Sequence, residues 1–365
     1  MKYKKCHTYL LVAVVAVFFV CFSYHTSDAM VSGPCVNCHT MHNSQNGVSV
    51  ARDGTGAGWN SSGKLSGGSL QADPLKTLLV SSCVGCHTST TGETIINVGG
   101  SRIPIVFNTG GYPAKPLAGG NFYKVSLGGD NEVYGHNVYG IAGADSKLST
   151  APGRQSGTCG NATSCHSTLA AAKDTFTGMT NGCQGCHVRV AHHDDSKPWY
   201  RFLKGHLDTV DYVTGIEDPN WEQNPDQNNH NKYKGYNGPV DSSVTLEQTH
   251  SINSFCGGCH GQYHRQQFMG SSSPWLRHPS DILLPQTGEY SSYDPVTNYS
   301  VEAPVAWTDP SNPSRATAVV MCLSCHRVHG SQYPDILRWD YSTMIAGGSG
   351  SGGCFTCHTQ KSQTP

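Results

Sequence analysis

One sustained apolar run stands out along the 365-residue chain: residues 10–22, preceded by Lys2, Lys4 and Lys5 and followed by Ser27, Asp28 and Ala29. A charged start, an apolar middle and a small-residue end follow the order of a secretory signal peptide, which predicts removal of residues 1–29. The run is too short to cross a membrane as a helix, and nothing comparable follows it. Val20 before Cys21 is not the small residue that lipoprotein processing needs. The pattern predicts an exported mature chain, residues 30–365, with no transmembrane segment.

In that mature part, hydrophobic positions come singly or in short groups. Stretches such as 99–129 and 219–238 are rich in Gly, Asn, Tyr and Pro, and no 3.6-residue or two-residue period persists in them. The expectation is mostly irregular coil with short α-helices and little β-structure. The helices are expected at the cysteine pairs, for example over 164–175. Hydrophobic residues make up 37% of the whole chain and less once the apolar run is gone, against roughly 45–50% (Gly included) in ordinary globular domains. Side chains alone would struggle to offset the conformational entropy of a chain this long. Something else must fill the interior if residues 30–365 form a single ordered domain. The formal charge of −1 becomes about −3 without Lys2, Lys4, Lys5 and Asp28, and no basic balance points to nucleic acid.

The cysteines supply the missing component. Cys6 and Cys21 leave with the signal, and the rest fall into seven pairs, each with His directly after the second Cys. Six are C-x-x-C-H: Cys35/Cys38-His39, Cys83/Cys86-His87, Cys183/Cys186-His187, Cys256/Cys259-His260, Cys322/Cys325-His326 and Cys354/Cys357-His358. The seventh, Cys159/Cys165-His166, has a longer loop between its cysteines. Disulfides closing such small loops would constrain the unfolded chain little, and they leave the histidines unexplained. Zinc ribbons use C-x-x-C pairs without requiring a following His. C-x-x-C-H is the attachment signature of c-type haem: two thiols one turn apart reach the two vinyl groups as thioethers, and the His ligates the iron. Cys159/Cys165 reads either as a seventh haem site or as a local disulfide.

Ten mature histidines lie outside the motifs: His42, His136, His192, His193, His206, His230, His250, His264, His278 and His329. Seven bis-His irons would need seven of them. His42 and His329 fall three residues beyond a motif His, His264 four and His192 five. At helical spacing, such a residue has its Cβ about 5–6 Å from the motif His, on the same side of that porphyrin. It must therefore serve a neighbouring haem or none. Bis-His iron has no open position and suits electron transfer, with ligands and burial setting the potential.

Four further matches come in order along the chain: Gly33-Pro34-Cys35 through Thr40-Met41-His42, Gly135-His136-Asn137, Leu276-Arg277-His278-Pro279, and Cys322 through His329. With them the chain resembles the extracellular, paired C-x-x-C-H multihaem cytochromes of metal-reducing bacteria, the filament-forming outer-membrane cytochromes of S and E type. The resemblance implies a multihaem cytochrome c array whose stacked haems form the core, with bis-His c-haems and polymerisation into a conductive filament. It also implies that His42 ligates a haem of the adjacent subunit, with His136, His278 and His329 as distal ligands within the chain. His192 (or His193), His230 and His264 complete the distal set. The Cys159–His166 segment departs from the six-haem S-type pattern.

Three readings follow. The first is a homopolymeric haem wire, secreted or at the cell surface, taking electrons from redox partner cytochromes to external acceptors such as metal oxides. The second is a soluble periplasmic electron carrier. The third is a multihaem reductase of nitrite, hydroxylamine or a sulfur oxyanion with one open haem, most naturally at His166. The first two are not enzymes.

Overall fold

The structure is a computed structural model. It describes residues 31–362 apart from 32, 41, 55, 57, 75–77, 155–167, 173–180, 189, 194–199, 206–209, 239–243 and 265–276. Residues 1–29, expected to be a signal peptide, and Cys159, Cys165, His166 and His206 lie outside the described residues.

Regular structure comes in fragments, as the absence of sustained periodicity predicts. Among the described residues the α-helices are α1 (Cys83–Cys86), α2 (Leu246–Thr249), α3 (Ile252–Gly257) and α4 (Gly261–His264), supplemented by 3-10 turns. Two helix starts are well capped. Thr245 and Gln248 form a reciprocal capping box on α2, and the Ser251 side chain accepts from the Ser254 N–H at the start of α3. A helix expected over 164–175 is not continuous, since its described part, 168–172, is turn and bend.

Strands are equally short. β1 (Thr88–Ser89) pairs in parallel with β4 (Phe107–Asn108), and β2 (Ile95–Val98) pairs antiparallel with β3 (Ser101–Pro104). The remaining strands are β5 (Gly215–Ile216), β6 (Lys232–Lys234), β7 (Ile282–Leu283), β8 (Ala306–Trp307) and β9 (Ala318–Val320). They form one sheet in the order β5-β6-β8-β9-β7, parallel only between β6 and β8. Ala306, Trp307, Ala318 and Val319 are almost wholly buried, so the central strands are covered on both faces. Gly235 sits against them, where a Cβ would come within 2.9 Å of the Val319 Cβ and 3.0 Å of the Ala306 Cβ.

The hydrophobic core is divided. Four small clusters gather around Val213/Val319/Met321, Phe107/Phe122/Val125, Val305/Trp307 and Trp59/Ile105. Motif cysteines pack on three of them: Cys183 on the second, Cys357 on the third and Cys86 on the fourth. The clusters flank the attachment motifs and do not meet in one centre.

Candidate haem sites

Each C-x-x-C-H motif folds into a single helical turn. In all six, the His N–H donates to the carbonyl of the first Cys, at 2.8–3.1 Å. This local bond sets two thiols one turn apart and turns the imidazole away from the motif's own backbone, which two-point attachment requires.

Five motif histidines face a second imidazole. The ring-centre separations are 6.1 Å for His39 and His193, 6.3 Å for His87 and His192, and 6.1 Å for His187 and His329. His260 and His136 are 6.2 Å apart, as are His358 and His278. Two imidazoles on one metal atom, each with its nitrogen about 2 Å from it, have ring centres about 6 Å apart. The pairs thus have the spacing of two axial ligands. Their planes differ by 29°, 21°, 50°, 52° and 88° in the same order.

Hydrogen bonds orient the rings. Nδ1 of His87, His187, His260 and His326 lies 2.7–2.9 Å from the carbonyl oxygens of Pro104, Arg201, Pro152 and Asp335. Among the second imidazoles, His136 and His278 use Val328 and Pro279 in the same way. A carbonyl accepts only, so Nδ1 must be the protonated nitrogen and Nε2 keeps its lone pair for a metal. Burial pushes His87, His136 and His187 below the usual imidazole range, and takes His329 down to about 3. The neutral, ligating form is favoured.

Contacts between motifs order the sites along the chain. Cys83 and Cys183 are hydrogen-bonded through their thiols, as are Cys256 and Cys322. The Cys86 thiol is pushed up to about 12 by burial and by the nearby thiols of Cys38 and Cys83, and Cys354 and Cys357 act likewise on Cys325. Motif one thus adjoins two, two touches three, four touches five and five adjoins six. The facing imidazoles reinforce this order, because the stretch from His187 to His193 carries members of the first three pairs. A cavity of about 2700 Å³ runs past His39, His87, His187, His260 and His326. In its wall the Arg277 Nε is buried without a hydrogen-bond acceptor, a donor suited to a haem propionate, while the Arg201 Nε is ion-paired with Glu217 Oε1 at 3.7 Å. Thiol pairs, facing neutral imidazoles and a buried cation together fit c-haem.

The other expected ligands lie elsewhere. His264 is on α4, but its Nε2 meets Asp281 Oδ2 at 2.8 Å, inside a buried cluster with Ser251 and Asn253. His230 stacks face to face on Tyr299 at 3.6 Å, beside Trp307, with Nδ1 2.9 Å from the Asp226 carbonyl and a buried Nε2 that has no hydrogen-bond partner. His42 is exposed. His326 and His329 do not share a helix, because the helical turn ends at Ser324 and the chain at His326 bridges Leu337. His192 and His193, alternatives in the sequence, each face a different motif His. Among the described residues, no second imidazole faces His326.

The family described as the doubled CXXCH motif matches residues 315–363. C-type cytochrome OmcS of Geobacter sulfurreducens is 25% identical over 397 residues, covering 90% of this chain and 84% of its own. Two solved assemblies, the Outer Membrane Cytochrome S filament and the OmcS nanowires of the same organism, align at 19% identity with TM-scores of 0.44 and 0.43, over 92% of each chain. The chain is thus similar to OmcS in sequence and carries the doubled C-x-x-C-H motif over residues 315–363, and C-x-x-C-H is the attachment signature of haem c.

Proposed function

We propose that the protein conducts electrons along closely spaced bis-His c-haems and does so as an extracellular homopolymer. The observation that carries the reading is the set of five facing imidazole pairs, with the second motif touching the third and the fourth touching the fifth. When bound, each haem supplies a one-electron iron couple. The chain's own residues hold the ring at two thiols, saturate the iron with two neutral imidazoles and bring neighbouring motifs to contact. A saturated iron carries electrons and offers no place for a substrate. Cys35 through Cys357 of the six regular motifs bind haem covalently in this reading, and His39, His87, His187, His260, His326 and His358 are the proximal ligands. His193, His192, His329, His136 and His278 serve as second ligands within the chain.

The polymer reading gains its support from the imbalance at the fifth motif. His326 has no imidazole across from it among the described residues, while His42 stands exposed near the other end of the array. His42 of one copy would complete the His326 site of the next, which fits the filaments and nanowires named for OmcS. External acceptors such as metal oxides and donor cytochromes would sit at the two ends of such a polymer. The same imbalance gives the reductase reading a definite form: an unassembled copy would hold one open iron at the fifth site.

The test combines intact mass, cryo-electron microscopy and ferric electron paramagnetic resonance. Assembled protein should be wholly low-spin, and His42→Ala should abolish filaments while leaving one high-spin haem per chain. Filaments that persist in His42→Ala with unchanged spectra would remove the proposed trans ligand. The mass settles Cys159/Cys165 separately, since seven haem increments require that pair and six exclude it.

A further inference from the structure

The sixth site differs from its neighbours in what holds its proximal imidazole. His87, His187, His260 and His326 each meet a backbone carbonyl through Nδ1. His358 instead directs Nδ1 at a carboxylate, Glu289 Oε1, at 3.3 Å. The contact is built in from both sides. The Glu289 carbonyl accepts from the Thr359 N–H at 3.2 Å and from the Thr359 hydroxyl, tying it to the residue after the ligand. Arg315 donates to the carbonyls of Tyr290 and Ser291 and so holds the turn that presents Glu289. Lys361 approaches the other carboxylate oxygen at 3.7 Å from an exposed position.

We infer that Glu289 is a positioning residue that lowers the reduction potential of the haem attached at Cys354 and Cys357. This rests on the bis-His reading of that site. A carboxylate draws the Nδ1 proton further from the ring than a neutral carbonyl does, and makes Nε2 a stronger donor to a metal. A stronger donor stabilises ferric over ferrous iron in the one-electron couple, and no other reactant is involved. Lys361 acts in opposition by partly neutralising the carboxylate. The array therefore ends, at its C-terminal site, on a haem that passes an electron on more readily than carbonyl-held imidazoles would allow.

The site can be read separately from the others. His278 and His358 are nearly perpendicular, at 88°, whereas the other four pairs lie between 21° and 52°. Perpendicular imidazoles leave two iron d orbitals nearly degenerate and give the most anisotropic low-spin ferric signal. Redox titration of the holoprotein, followed through that signal, is the experiment. Glu289→Gln keeps an acceptor for Nδ1 and removes the charge, so the midpoint of that signal should rise while the others stay. Lys361→Met leaves the His358 contact intact and should lower it, which keeps the test open if Glu289→Gln loses the haem. An unmoved midpoint in Lys361→Met, or in a haem-loaded Glu289→Gln, overturns the inference alone. An unaltered protein without any such signal overturns the bis-His reading of the site as well.

Discussion

At the scale of single residues, what separates a ligand from a bystander is the partner of each imidazole nitrogen. His329 and His264 look alike in sequence, each a few residues beyond a motif His. In space, His329 faces His187, while His264 gives its Nε2 to a fully buried carboxylate. Their replacements should therefore differ in kind. His329→Ala is expected to convert one haem to high spin in the ferric optical and paramagnetic spectra with all haems still attached. His264→Gln should keep every haem low-spin and lower stability by about 1–3 kcal/mol, the cost of disturbing a buried hydrogen bond. A high-spin haem in His264→Gln would reverse the assignment.

At the scale of elements, the stretch from His187 to His193 does the work a longer helix would do in another protein. It supplies the third motif's own imidazole and the second imidazoles of the first and second sites, within one short irregular segment. Inserting one glycine after Ala191 should displace His192 and His193 together and leave His187 in place. Two haems are then expected to turn high-spin as a unit, counted by spin quantitation; a change in one alone would show that the two ligands are set independently. The attachment turns were legible in the sequence because they are local: a thiol pair, its spacing and the next residue determine them. His136, His278 and His329 were marked by their resemblance to a family pattern. The pairing of His192 with His87, the diversion of His230 to Tyr299 and the Glu289 contact were not legible, since each depends on residues far apart in the chain that only tertiary packing brings together. The coil-rich character was legible from missing periodicity, whereas the five-stranded sheet was not. Its strands of two or three residues carry too few positions for a period to register.

At the scale of the whole molecule, four separate apolar clusters take the place of one core. None is large enough to order a chain this long, a gap that haems held at the motifs would fill by linking the clusters. Expression without cytochrome c maturation should give a chain with no cooperative thermal transition, measured by calorimetry or circular dichroism, whereas the loaded protein melts as a unit. A haem-free chain that melts cooperatively would show that the clusters suffice. The four-residue attachment turns also bear on how the molecule assembles. Each can close on an unfolded chain, so in the bis-His reading a haem would be tethered early with one imidazole and acquire the other late, from a distant segment. Folding is then a sorting problem in which any loose imidazole is a kinetic trap. The Asp281 hold on the His264 Nε2 takes on a second meaning: with that nitrogen engaged, His264 would be kept off the irons while the other imidazoles arrive.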